Sequence, residues 1–369
     1  MIKILAKILT IILLIITTVI LLVRNNELDK KFNLEFNNKT AVNSNLSFST
    51  TKVVNKSVKL LEANLLPTTA NAVHSVNVIS IGKGNLLAVW FSGSSESASD
   101  IEICQAIYKQ GHWLKPTVAL NRNQLRYYFS RTFGNPILYK IGNKIHLIVV
   151  ESIGGWAVAR LGHFVSKDYA MSWQEQQLLF TSPLFNISTL VRNPPLVEQN
   201  RIIIPAYHES INYYPQLLVF DQDGRIQNQM AITEAKGLIQ PDIEVYNNQL
   251  FMLLRTIKLR LDHSLYGIKT VGDNLIKFKT NLQNFNSALA CLQVKPNLFL
   301  LVYNQGQGRN KLMLASSYNM KDWHDIYQLE QGEESKEFSY PSIILVDDKI
   351  HILYTYHRTN IKHVVLKVY

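Results

Sequence analysis

Cysteine is nearly missing from this chain: there are two in 369 residues, Cys104 and Cys291, too few for a disulfide framework. Each sits in an apolar, strand-like stretch and reads as a buried thiol. No Cys and His spacing suits zinc, and nothing in the sequence calls for a metal or any other cofactor. Charge is sparse too. Only 18% of residues are charged, with no run of five basic residues and no basic helix, which argues against a nucleic-acid partner. The charge that is present leans one way, 38 Lys and Arg against 27 Asp and Glu, for a net +11. A basic surface favours anionic partners such as acidic lipid or acidic glycans. Apolar material is not short: 47% of residues are hydrophobic, which excludes a disordered chain and allows a large core.

The clearest local signal is at the N-terminus. Lys3 and Lys7 precede an apolar or Thr-containing run from Ile8 to Val23, which ends at Arg24. A charged start and an apolar middle mark a secretory signal. The run is shorter than the ~20 residues of an upright span, and the partly apolar residues before Ile8 can extend it. No small-x-small cleavage site follows Val23, where the chain reads Arg24-Asn25-Asn26-Glu27. The expectation is an uncleaved signal anchor over residues 1–24 with the bulk of the chain exported, periplasmic or extracellular; cleavage would instead release a secreted protein. Residues 25–68, rich in Asn, Lys, Ser and Thr, read as a polar stalk.

Beyond the stalk one pattern recurs six times: a short strand entered by a polar residue, a turn, then a strongly apolar strand. His74-Ser75-Val76 with Leu86 to Phe91 is the first copy, and Asn135-Pro136 with Ile145 to Val150 the second. Arg192-Asn193-Pro194 with Arg201 to Tyr207 and Gln240-Pro241 with Leu250 to Leu254 follow. Ser287-Ala288 with Leu298 to Tyr303, then Tyr340-Pro341 with Ile350 to Tyr354, complete the set. Asn135, Asn193, Gln240, Ser287 and Tyr340 are 58, 47, 47 and 53 residues apart. Such a period, with several short strands in each copy, is that of propeller blades. The expected fold is therefore all-β, a six-bladed β-propeller over residues 69–369. Equivalent strand ends converge on one face of a propeller, so polar residues fifty positions apart become neighbours there. Asn135, Asn193, Gln240 and Tyr340 share the inner-strand starts, and Glu209, Arg255 and Arg358 lie at second-strand ends.

These residues resemble a family. Asn284 to Leu289 with Leu300 to Asn304, and Tyr340-Pro341-Ser342-Ile343 through Tyr354, are similar to the fifth and sixth blades of the sialidase superfamily. Arg201 to Tyr207 resembles another of its strands. Asp-box turns (Ser-x-Asp-x-Gly-x-Thr-Trp) are present in degenerate form at Ser166 to Trp173 and Ser316 to Trp323. The resemblance implies an exo-acting glycoside hydrolase of an acidic sugar. Arginines suit the sugar carboxylate because a guanidinium fork binds it bidentately, and sialidases use tyrosine, not a carboxylate, as nucleophile. Carried over, Tyr340 is the nucleophile, Arg255 and Arg309 are the second and third arginines, and Asp100 is the acid with Glu96 its competitor. Arg192, Asn135 and Glu209 join them as candidate binding residues. Two positions depart from the family. His74 stands where the first arginine belongs and would bind an anion only when protonated. Gln240 stands where the base glutamate belongs and cannot take a proton, with Glu209 or Glu337 as stand-ins. A carbohydrate-binding propeller without catalysis and a protein-interaction scaffold are the competing readings.

Overall fold

Runs of Val, Ile, Leu and aromatic residues separated by Asn, Asp and Gly turns fold as strands, and here they make six sheets. The computed structural model describes residues 10, 12–17, 57–68, 70–124, 130–152, 155, 158–179, 188–198, 201–210, 212–272 and 274–369. Blade one is built from Ala72–Gly82, Asn85–Gly93 and Glu102–Lys109, with the short His112–Trp113 and Thr117–Leu120 on its outer edge. Blades two, four and five run inner to outer in chain order, beginning at Thr132–Ile141, Leu238–Tyr246 and Ala290–Lys295. Blade three is made from Thr189–Val191, Ile202–Glu209, Tyr213–Phe220 and Ile226–Ala231, with Leu196–Val197 added beside Ile202–Glu209.

Blade six closes the ring with a strand from the other end of the chain. Phe338–Val346, Lys349–Tyr356 and Asn360–Val368 supply three strands, and Val58–Leu65 pairs antiparallel with Asn360–Val368 as the fourth. This places residues 58–65 in the propeller, within a segment whose composition reads as stalk. The strand is mostly exposed, so its sequence needs no apolar alternation; pairing with the last strand holds it. Of the expected membrane segment, only residues 10 and 12–17 are described, as exposed helix. Among the described residues no helix is long and apolar enough to cross a membrane; the rest of the segment lies outside them, as does most of the stalk.

Each blade buries its faces against its neighbours. Val78 and Trp90 of blade one pack with Leu353 and Ile361 of blade six, and Phe251 and Leu253 of blade four with Phe299 and Leu301 of blade five. The Asp-box turns help to pin these interfaces. Asp168 accepts from Ser172 N and Ser172 Oγ at 2.9 and 2.6 Å, and Trp173 Nε1 donates to Gln105 Oε1 of blade one at 2.9 Å. In blade five Asn319 replaces the aspartate, accepting from the Lys321 and Asp322 amides, and Trp323 is buried.

Two buried histidine pairs sit at matching places in blades two and six. His146 Nδ1 lies 3.0 Å from His163 Nε2, and His351 Nδ1 lies 3.0 Å from His363 Nε2. Burial is the main cause that holds His146 and His351 down to about 4 and His163 and His363 to about 3, each helped by a neighbouring cation or imidazole. The unfolded chain therefore binds protons below about pH 6.5 that the fold refuses. Thermal stability is expected to decline as pH falls from 6.5 toward 4, and His351→Gln/His363→Gln should flatten that decline in calorimetric scans. A pH profile unchanged in the double variant would contradict this.

Candidate active site

The inner strands of blades one, four and six each break register near their start, between His74 and Asn77, Ile239 and Asp242, and Ser339 and Ser342. Such a bulge re-aims a side chain out of the ladder. Its central residues Ser75, Gln240 and Tyr340 have φ of 59°, 50° and 52°, a strained setting for non-glycine residues that concentrates where function needs it. Proline follows Gln240 and Tyr340, where its missing N–H goes unneeded because the bulge has already interrupted the ladder.

Tyr340 is the centre of the site. Its Oη accepts from Arg255 Nη1 at 3.2 Å, and the same nitrogen donates to Gln240 Oε1 at 3.0 Å. The other edge of Arg255 is fixed by Asn286 Oδ1, at 3.0 Å from Nε and 2.8 Å from Nη2. The guanidinium carbons of Arg192 and Arg309 lie 5.2 and 5.6 Å from the Tyr340 ring centroid, within cation–π range. His74 stacks obliquely on the ring at 4.2 Å. Arg358 Nη2 is 3.4 Å from His74 Nε2 and pairs with Glu96 Oε2 at 2.9 Å. Glu337 bridges two arginines, with Arg309 Nη1 at 3.0 Å and Arg358 Nε at 2.9 Å. Arginines from blades three, four and five thus lie against one phenol, and that of blade six lies beside its neighbour His74.

The field of these cations decides the protonation states. Burial, the largest influence, opposes ionisation of Tyr340, but Arg255 and Arg309 together outweigh it and bring the phenol below its ordinary value. Glu96 acts against them, which puts its charge near the ring. Glu209 is raised by burial, with Arg255 pulling the other way. Glu337 is also pushed up by burial, yet Arg309, Ser339 and Arg358 leave it below its usual value.

Arg255, Arg309, Gln240, Tyr340 and Glu96 come together as one constellation. Other expected members do not face it in the way anticipated. His74 is held neutral, first by burial and then by Arg358, Arg309, Arg192 and Arg255, so it cannot serve as a cation; Arg358 stands beside it instead. Arg192 is 1% exposed, with Nη2 on the Pro341 carbonyl at 2.7 Å and Nε and Nη1 without a hydrogen-bond partner among the described residues. It lies against Tyr340, out of a ligand's reach. Asn135 is likewise buried, accepting from Ser75 Oγ at 2.8 Å and donating to Tyr207 Oη at 3.2 Å. Asp100 accepts from Ser94 N and Ser94 Oγ, the latter at 2.9 Å, and so fastens its own loop.

Tyr207 and Asn286 were not among the candidates, and Arg358 was read only as a second-strand end. Tyr207 Oη takes both Asn135 and Gln240 donors, each at 3.2 Å, beneath the site. Its strand was visible as a repeat copy, and its channel-facing position follows from that. Arg358 lies in the loop two residues past Lys349–Tyr356, beyond the strand periodicity.

A six-bladed propeller presenting an arginine cluster around a bulge-mounted tyrosine is a sialidase-like scaffold. Residues 84–352 match the family model described as BNR repeat-like domain, and the chain belongs to that family. No curated protein matches it in sequence. Among solved structures, a Trypanosoma rangeli sialidase superposes with a TM-score of 0.63 at 13% identity, over 80% of this chain and 55% of that one. The same sialidase in complex with sialic acid gives 0.61 at 13% identity, over 82% and 56%. The NanB sialidase of Streptococcus pneumoniae gives 0.65 at 12% identity, over 84% and 70%. This chain therefore spans just over half the length of the trypanosomal relatives, and the likeness is one of fold.

Proposed function

We propose that the chain is an exo-acting glycoside hydrolase of sialidase type, removing terminal acidic sugars from glycans through Tyr340. The observation that carries this reading is the cluster around Tyr340, with Arg255 on its hydroxyl, Arg309 and Arg192 against its ring and Arg358 on the neighbouring His74. A sugar carboxylate entering there meets guanidinium forks already held in place by Asn286 and Glu337, so little ordering is left to do on binding. Tyr340 Oη then bonds to the anomeric carbon as the glycosidic C–O bond breaks. The leaving oxygen takes a proton from Glu96, an exposed carboxyl that must be protonated, and so parted from Arg358, to act as the acid. Water hydrolyses the tyrosyl-sugar, with Glu96 recovering the proton. Two displacements at one carbon retain configuration.

The phenol proton is the step in which this chain differs. Gln240 has no basicity, and among the described residues no carboxylate is hydrogen-bonded to Tyr340 Oη. Ionisation is instead favoured by the surrounding cations, and the proton passes to water. A binding propeller without turnover is the second reading, favoured by Gln240 itself. Turnover of a fluorogenic α-sialoside separates the two: hydrolysis with retained configuration is expected, and none despite measurable binding of the free sugar would select the second. Gln240→Glu should raise turnover and move its acid limb, since a carboxylate there can take the phenol proton. Equal or lower activity in a folded variant would mean that the cation-based activation is complete without it.

Residues 8–23 are proposed to anchor the chain, with the propeller outside the cytoplasm; membrane fractionation is the check, and a soluble product beginning near residue 25 would indicate cleavage instead.

A further inference from the structure

The loop 257–263 of blade four carries its polarity inside out. Leu259 and Leu261 are 80% and 98% exposed, while Arg260 and Asp262, between and after them, are partly covered and fastened by hydrogen bonds. Arg260 Nη1 donates to the Lys236 carbonyl at 2.8 Å, and its guanidinium lies 5.0 Å from the Tyr266 ring centroid. Asp262 accepts from Ser264 N at 3.1 Å, Ser264 Oγ at 2.7 Å and Tyr266 Oη at 2.5 Å, and pairs with Lys279 at 2.7 Å. The backbone is tied as well, Ile257 N to the Gly237 carbonyl at 3.1 Å and Arg260 N to the Ile257 carbonyl at 3.2 Å. Single exposed apolar residues are ordinary on any surface. Here the alternation is fixed by a hydrogen-bonded frame that holds both leucines in water.

The place of this loop gives the feature its meaning. It leaves the strand Gln249–Thr256 immediately after Arg255, and it joins second to third strand just as the loops bearing Glu96, Arg309 and Arg358 do. It therefore stands on the rim of the arginine–tyrosine face. Lys236 and Lys258 are exposed beside it, on a chain of net charge +11. A protein partner would need a surface on the order of 800 Å² per side, far more than a two-leucine tip offers. A bilayer accepts a small apolar protrusion of any shape, and anionic headgroups reward flanking lysines.

We propose that this loop seats the site-bearing face of the propeller on an anionic lipid surface, Leu259 and Leu261 entering the headgroup boundary and Lys236 and Lys258 meeting lipid phosphates. The docking stands whether or not Tyr340 turns over a substrate. On the hydrolase reading, it brings the pocket to acidic sugars carried by lipids.

The test uses the full chain carrying an environment-sensitive fluorophore at Leu261→Cys, with vesicles of phosphatidylcholine and phosphatidylserine containing brominated acyl chains. The native thiols compete poorly, because Cys291 is buried and burial pushes Cys104 up to about 11. Met171→Cys is the control, equally exposed at 85% in the Asp-box turn of the opposite face. Quenching at position 261 should exceed that at 171 by about threefold or more, and should weaken at high salt as lysine–lipid attraction is screened. Leu259→Ser with the label at 261 should reduce it about tenfold in vesicle affinity, the scale of one buried leucine. Equal quenching at the two positions, or none at 261, would overturn the proposal.

Discussion

Tyr340→Phe is expected to lower sialoside turnover by roughly 10³-fold or more, the scale on which loss of a covalent nucleophile acts, while leaving the fold intact. The hydroxyl makes one hydrogen bond, from Arg255 Nη1, and that nitrogen keeps Gln240 Oε1 as a partner when the hydroxyl is removed. No buried donor is stranded. The ring also remains to stack against His74 and to face Arg192 and Arg309. Affinity for the free acidic sugar should therefore change by no more than about tenfold, the most that one neutral hydrogen bond carries. Turnover and affinity falling together would mean that Tyr340 binds the sugar without attacking it.

Arg255→Ala should act on both quantities. The guanidinium is buried, and it holds Tyr340, Gln240 and Asn286 at once, so its removal takes away a carboxylate fork and leaves three partners short. A loss of sugar affinity of about 10²-fold at most follows from the one charged hydrogen bond that the guanidinium has left to give, its other donors serving Asn286, Gln240 and Tyr340. The phenol should also become harder to ionise, because burial remains while the chief cation opposing it is gone. Ultraviolet difference titration of Tyr340, read against Tyr340→Phe, measures that shift directly. Arg255→Lys keeps the charge and loses the fork; it should restore the titration more than the affinity. A titration unmoved in Arg255→Ala would remove the cations as the means of activation.

How much of this was legible in the residues depends on what each feature rests on. The six blades were, because a paired apolar strand every fifty residues survives in the sequence whatever else varies. So was the meeting of Tyr340, Gln240, Arg255 and Arg309, which follows from blade geometry alone. The closing strand Val58–Leu65 was not, since an edge strand with mostly exposed side chains carries no alternation to read. The bulges hid a further layer. At Ser75 the left-handed backbone turns the opening strand, and the neighbouring His74 is kept neutral by burial and then by a ring of cations. Nothing in the local sequence reports that charge. Arg192 read as a candidate sugar-binding residue, whereas its blade carries it against the Tyr340 ring, where its Nε and Nη1 have no hydrogen-bond partner among the described residues. Asp100 and Glu96 share one loop, and only the contacts of that loop separate the carboxylate fixed to Ser94 from the one paired with Arg358.

Trapping the reaction half-way tests the central claim most directly. A 2,3-difluorinated sialic acid reacts once at the anomeric carbon and is then hydrolysed slowly, so the chain incubated with it should gain the mass of one sugar residue. Peptide mapping should place that mass on Tyr340, and Tyr340→Phe should remain unlabelled. Wild-type chain that binds the sugar yet acquires no adduct, or acquires it on another residue, would contradict a tyrosine nucleophile in this arginine cage.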